Sequence, residues 1–372
     1  MRKVRETKYY RPILLSLFSF VLGCMLTINL TPIDKTCIID NTDHEYNVMQ
    51  NSKLRNPELI ILIFSAPKNL EKRQVLRETW LDMGREISAT ASYRYKHYFI
   101  IGSLGLSENE VLHLSDEQSE FGDILVLPVY DSYNNLTEKV LQAYVWLDEQ
   151  YEYGLGYKYA LKCDDDSFVN LPALLIEIPK MENTLGNSNL QFPLNLPPEK
   201  LNHFITTDVQ TNQEFGKNLQ VVNMSFYWGY FHGNAKIKTA GKWKEDDWIS
   251  CDRYLPYALG GGYILSKNLV SFISNNNEYL RTFKSEDISV GLWLSPVTNT
   301  IRIHDIRFDT EWVTRGCKNY YLISHNISPE GMRTMHENLK SNKQLCTKEE
   351  DKRKYYLYNW SVPPSQCCIT VK

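Results

Sequence analysis

The sequence contains no Cys-x-x-Cys pair, no G-x-G-x-x-G fingerprint and no Walker glycine loop, and its basic residues do not outnumber its acidic ones. The missing cysteine pairs exclude a zinc ribbon. Without the glycine motifs there is no dinucleotide fingerprint and no P-loop for phosphoryl transfer. A net charge of −3 removes the basic excess that a nucleic-acid binder carries, so no nucleic-acid partner is expected. No A-x-A cleavage site follows the apolar stretch near the N-terminus, which argues against a cleaved signal peptide.

What is present describes an ordinary globular chain: 372 residues, 43% hydrophobic and 23% charged, enough for one large domain or two small ones. The 24 tyrosines and 8 tryptophans suit stacking on sugars or bases, although packing in a core accounts for most of them. Basic residues Arg2, Lys3, Arg5, Lys8 and Arg11 precede an uncharged run from Ile13 to Leu30. A bilayer core takes about 20 apolar residues, and the positive side stays cytoplasmic. Residues 1–11 are therefore expected as a cytoplasmic tail, 12–30 as an uncleaved signal anchor and 31–56 as a polar stem. Residues 57–372 are then expected as the folded body, on the lumenal side. Some of the cysteines beyond Cys24 are expected to pair there, and their odd number leaves at least one free or joined to another chain.

Within the body, Leu59–Phe64 is a continuous apolar run of strand length, the mark of a parallel strand buried on both faces. Further strands are expected at His97–Gly102 and Ile124–Val129, with an acidic helix between them and an amphipathic helix over Leu136–Tyr151. Such alternation predicts a doubly wound α/β sheet. Arg73 and Arg77 lie on a helix directly after the first strand, where they either form a solvated face or meet a nucleotide at the strand ends. Residues 183–220, rich in Asn, Pro and Thr, read as a surface insertion.

The chemistry gathers at Tyr157–Asn170, where a β-prone run leads into Asp164, Asp165 and Asp166. Three adjacent carboxylates repel one another unless a cation sits among them. Mg²⁺ or Mn²⁺ fits, as hard ions that take carboxylate oxygens and keep positions open for a diphosphate. A solvated Asx turn or helix cap is the bland alternative. Downstream, Gly260–Gly262 permit close backbone approach, to a ligand or at a bulge. Glu286 and Asp287 follow Ser285, which caps a helix whose dipole favours acids in its first turn. His304 is the single histidine of the strand-like run Ile301–Phe308.

In their order along the chain, Arg73–Trp80, Asp131–Lys139, Lys162–Asn170, Tyr257–Ser266 and Ser285–Gly291 resemble the motifs of the Golgi β-1,3-glycosyltransferases. The C-terminal third, through Glu286–Pro296, Arg307–Trp312, Arg315–Cys317 and Trp360–Cys368, is most similar to members that build the glycosaminoglycan linkage region. That resemblance implies a GT-A fold, a Rossmann-like mixed sheet flanked by helices, behind a single transmembrane helix in the Golgi membrane. It also implies UDP-galactose as donor, Gal-β-1,4-Xyl on a proteoglycan core as acceptor, and inversion at the anomeric carbon. By the same resemblance Asp166 and His304 ligate Mn²⁺, while Asp164 and Asp165 contact the nucleotide sugar, with Arg73 and Arg77 near it. Asp287 is the expected base with Glu286 beside it, and Trp243, Gly261, Gly262 and Tyr263 line the sugar or acceptor side. Among the sequons, Asn326 is the expected glycan site, and Asn135, at a helix start, is either a glycan site or a cap.

Overall fold

The computed structural model describes residues 57–88, 94–186, 205–207, 225–246, 248 and 251–370. The tail, anchor and stem expected over 1–56 lie outside the described residues, as does most of 183–220. Among the described residues no helix is long and apolar enough to cross a membrane.

Strands β1 (Leu59–Phe64), β2 (Tyr95–Leu104), β3 (Ile124–Tyr130) and β4 (Tyr159–Asp164) form a parallel half-sheet in the order β3-β2-β1-β4. Every residue of β1 is buried, as its unbroken apolar run requires. Helices α1 (Leu70–Glu78), α2 (Trp80–Ser88), α3 (Glu108–Phe121) and α4 (Leu136–Glu152) connect these strands. The alternation read from the sequence is therefore present.

After β4 come the two-residue strand β5 (Phe168–Val169), helix α5 (Leu171–Gly186) and strand β6 (Ile205–Thr207). The sheet continues with β7 (Ser225–His232), β8 (Tyr257–Ser266) and β9 (Thr300–Asp305) in the order β4-β8-β7-β9-β6. Here β8 runs antiparallel to β4 and β7 antiparallel to β8, so the second half is mixed. Of the segment 183–220 read as a surface insertion, three central residues are described as a strand. Ile205–Thr207 pair with β9 and close that edge of the main sheet.

Helices α6 (Lys267–Asn275) and α7 (Glu286–Leu294) follow β8, and strand β10 (Phe308–Asp309) follows β9. The rest of the chain supplies short strands β11 (Gly316–Cys317), β12 (Ile323–Ser324), β13 (Glu350–Asp351), β14 (Tyr356–Tyr358) and β15 (Cys368–Thr370), with helix α8 (Pro329–Asn342). A second small sheet, β10-β12-β5, lays β12 antiparallel to β5 beside the acidic turn that leaves β4. Two disulfides, Cys317–Cys346 and Cys367–Cys368, tie this C-terminal region, while Cys163 stays a buried thiol and Cys251 an exposed one.

Candidate active site

Asp164 ends β4, and the chain turns through Asp165 and Asp166 before β5. The three carboxylates face different partners. Asp165 is buried and engaged at both oxygens: Ser65 Oγ and Asn69 Nδ2 donate to Oδ2 at 2.8 and 2.7 Å, and Lys72 Nζ to Oδ1 at 2.8 Å. It therefore anchors the turn to the end of β1, with three of its acceptor positions taken by protein donors. Asp164 and Asp166 are half-buried and open toward a residue that the sequence reading passed over, His325.

His325 follows β12, and its Nε2 lies 3.6 Å from Asp164 Oδ2 and 3.3 Å from Asp166 Oδ1. Its other nitrogen, Nδ1, donates to the Glu311 carbonyl at 3.3 Å. A metal-binding histidine has this arrangement, with one nitrogen fixed by a carbonyl and the other presented to the ion. Asp166 Oδ1 is buried without a well-aligned hydrogen-bond donor. Two carboxylates and an imidazole, all offering ligand atoms within 4.8 Å of one another, fit a divalent cation. Burial opposes the charged His325 ring, but Asp166 and Asp164 outweigh it and raise its pKa. Burial also raises the Asp164 carboxyl.

His304, expected as the metal ligand, is elsewhere. It is fully buried on β9, with Nδ1 accepting from the Phe231 N–H and Nε2 donating to the Tyr356 carbonyl, both at 3.0 Å. Tyr230 and Tyr356 pack on its ring. Burial pushes its pKa down to about 4, so the imidazole is neutral with both nitrogens committed. The ligand assignment moves from His304 to His325.

Arg73 and Arg77 also need correction. Both are paired in the interior, where Arg73 meets Glu117 at 2.6 Å and Arg77 meets Glu117 and Asp123 at 2.7 Å each, while Arg73 Nη1 reaches Asp165 only through the Ser65 hydroxyl. Their guanidinium groups neutralise buried carboxylates rather than a nucleotide. The cation of α1 that does face the acidic turn is Lys72, which lies 3.5 Å from Asp166 as well as 2.8 Å from Asp165.

Opposite the acidic turn, α7 opens with Glu286 and Asp287. The Gly260 N–H donates to Asp287 Oδ2 at 3.0 Å and the Ile288 N–H to Oδ1 at 2.8 Å. Burial, and then the neighbouring Glu286 charge, raise the Asp287 carboxyl far above the usual carboxylate range. Glu286 is itself buried and accepts from Lys162 Nζ at 2.8 Å. Lys162, also missed in the sequence reading, has no solvent exposure and donates further to Asp164 Oδ1 at 2.8 Å and the Gly260 carbonyl at 2.6 Å. One ammonium thus joins the acidic turn, β8 and α7. Alternation along a strand puts Lys162 on one side of the sheet and Cys163 on the other, but local sequence does not say which side holds the acids.

The glycines of β8 are there for protein neighbours. A Cβ on Gly260 would collide with Glu286 Oε1, one on Gly261 would lie 2.5 Å from His325 Cγ, and one on Gly262 would lie 3.0 Å from Ile323 Cδ1. Gly261, Gly262 and Tyr263 are buried, and the Tyr263 phenol meets that of Tyr144 at 3.2 Å. They shape the site from behind. Trp243, in contrast, is half-buried on a loop beside Trp312.

Of the expected glycan positions, Asn326 is exposed with φ 60° and donates to the Trp312 carbonyl at 3.2 Å. Asn135 precedes α4 but its side chain makes no capping hydrogen bond, so the cap reading is corrected. The motif around it has a packing role: Lys139 Nζ bonds the Ser65 carbonyl at 2.7 Å and Asp131 Oδ2 at 2.8 Å.

A mixed α/β sheet whose strand β4 ends in an acidic turn able to hold a divalent cation, facing a carboxylate of raised pKa, suits group transfer to a hydroxyl. The galactosyltransferase family pattern matches residues 71–306, and the chain belongs to that family. Beta-1,3-galactosyltransferase 6 of Mus musculus is 39% identical over 311 residues, 83% of this chain and 82% of its own length. Hydroxyproline O-galactosyltransferase GALT5 of Arabidopsis thaliana is 31% identical over 78% of this chain but only 36% of its own. UDP-GalNAc:beta-1,3-N-acetylgalactosaminyltransferase 2 of Xenopus tropicalis is 30% identical over 52% of this chain and 31% of its own.

Proposed function

We propose that this protein transfers galactose from UDP-galactose, with inversion, to the 3-hydroxyl of galactose in Gal-β-1,4-Xyl-O-Ser, building the glycosaminoglycan linkage region on proteoglycan cores. The observation that carries this reading is the pairing, through Lys162, of the Asp164–Asp166–His325 group with the Glu286–Asp287 pair in a galactosyltransferase chain. The catalytic body is a GT-A fold in the Golgi lumen, held to the membrane by residues 12–30, with an N-glycan at Asn326.

Asp287 acts as the base. Each of its oxygens accepts one backbone N–H and keeps a lone pair for the acceptor hydroxyl. Its raised pKa gives it a proton affinity suited to that hydroxyl as the reaction begins. The hydroxyl proton passes to Asp287, and the oxygen bonds to the anomeric carbon from the face opposite UDP. The bond from that carbon to the β-phosphate oxygen breaks, and UDP departs with the electron pair. Asp164, Asp166 and His325 would hold Mn²⁺, which when bound neutralises charge on the diphosphate. Lys162 keeps Asp164 and Glu286 in register, and Trp243 borders the acceptor.

Radiolabelled transfer by the full chain in Mn²⁺, offering UDP-galactose or UDP-N-acetylglucosamine on a Gal-β-1,4-Xyl aglycone, tests the reading. Product from UDP-galactose alone is expected. Product from the other donor reassigns the sugar. No product on this or simple galactoside acceptors leaves a sugar-binding protein on a transferase scaffold.

A further inference from the structure

Trp312 is 58% exposed, a large indole surface left in water at the edge of the site. The backbone beneath it is tightly held. Glu311 accepts from His325 Nδ1, Trp312 from Asn326 Nδ2, and Val313 from Arg353 Nη1 at 2.9 Å, all through their carbonyls. Arg353 also bonds the Glu311 carboxylate at 3.1 Å. Held by these bonds, the exposed ring keeps a fixed place at the edge of the site.

The ring's neighbours say where it faces. Its centroid lies 6.4 Å from that of His325 and 5.8 Å from that of Trp243, the latter edge-on at 79°. Lys242 Nζ sits 4.3 Å from both indole centroids and 5.1 Å from that of Tyr133, backing all three rings with one cation. Tyr133 is close enough to the base that, after burial, the Glu286 and Asp287 charges help raise its phenol. An aromatic wall therefore runs from the metal-binding histidine toward the catalytic carboxylate. It continues into a cleft of about 390 Å³ lined by Tyr133, Lys242 and Lys284 among others, a size found for small-ligand pockets of ~300–1,000 Å³.

We propose that Trp312, backed by Lys242 and flanked by Trp243 and Tyr133, is the platform on which the acceptor pyranose stacks. A β-galactoside offers one face of ring C–H groups, which an indole covers while excluding water. Its hydroxyl edge then remains free to turn toward Asp287. Stacking orients the nucleophile and contributes nothing to the leaving group, so it acts on the acceptor rather than the donor. This inference rests on the galactosyltransferase reading.

The test is Trp312→Ala and Trp312→Phe in the full chain, with KM measured separately for a Gal-β-1,4-Xyl aglycone and for UDP-galactose. Trp312→Ala is expected to raise the acceptor KM at least about tenfold, the effect of losing one stacked ring, with the donor KM moving less than twofold. Trp312→Phe should recover part of the loss. An unchanged acceptor KM, or an equal rise for the donor, overturns the platform while leaving the transferase reading intact. Saturation-transfer NMR of the disaccharide on the protein with UDP and diamagnetic Mg²⁺ decides independently of turnover. Ring protons that lose saturation in Trp312→Ala support the platform, and protons equally saturated in both proteins, or in neither, overturn it. A wild-type protein that moves no galactose defeats the earlier reading alone.

Discussion

Lys162 Nζ and Glu286 Oε1 meet at 2.8 Å in the interior, although 124 residues separate them in the chain. The same ammonium bonds Asp164 Oδ1 and the Gly260 carbonyl. A buried lysine with two carboxylates and a carbonyl is satisfied in all three of its donors, and the paired charges outweigh the burial that alone would lower its pKa. The acidic turn and the start of α7 are thus set relative to each other by one side chain.

Removing that ammonium should leave buried Glu286 facing half-buried Asp164 with no cation between them. Lys162→Met is expected to cost about 3–5 kcal/mol, the range for breaking a buried pair. Adding Glu286→Gln should return a large part of it. Urea unfolding of the two single variants and the double variant measures the coupling, and strict additivity would show that the contact does not matter to stability.

The two histidines should separate by assay. His325→Ala is expected to weaken Mn²⁺ binding at least tenfold, in line with loss of a ligand. His304→Ala should lower the melting temperature and leave Mn²⁺ affinity near wild type. Calorimetric metal titration beside thermal melts makes the comparison. Gly261→Ala, whose methyl would press on the His325 ring, should resemble His325→Ala.

Asp287→Asn should keep UDP binding and lower transfer ~10²–10⁴-fold, the usual contribution of a positioned base. The carboxylate must be ionised to take the proton, and its folded pKa is raised. Transfer should therefore fall on acidification through a midpoint above the usual carboxylate value of about 4. A kcat profile that stays flat down to pH 5 would remove Asp287 from the role.

Asp123 offers a stability test far from the chemistry. Burial works against its charge, yet hydrogen bonds from His97 and Arg77 prevail and bring its pKa from 3.8 to about 2. The folded state thus holds the ionised form more strongly than the unfolded one does. The stabilisation is complete above pH 4, disappears as pH falls through about 2, and amounts to about 2 kcal/mol. Asp123→Asn should lose this at neutral pH and flatten the acid limb of stability between pH 4 and 2. An acid limb matching wild type would contradict the assignment.

The sequence by itself determined the features that arise over a few residues. The apolar run of β1, the alternation of strands and helices, the acids ending β4 and the acids opening α7 all follow from propensity, burial pattern and helix-end electrostatics. Tertiary structure decided which side chains meet. Arg73 and Lys72 are adjacent on α1, but about 100° of helical rotation sends one into the interior and the other to the acidic turn. His304 lies within β9, and His325 directly follows β12. The pleat of β9 directs the first under Tyr356, whereas pairing of β12 with β5 brings the second to Asp164 and Asp166. Lys162 needed β4, β8 and α7 together before its three partners existed. Contacts over such sequence distances depend on register and packing between elements, which no local pattern encodes.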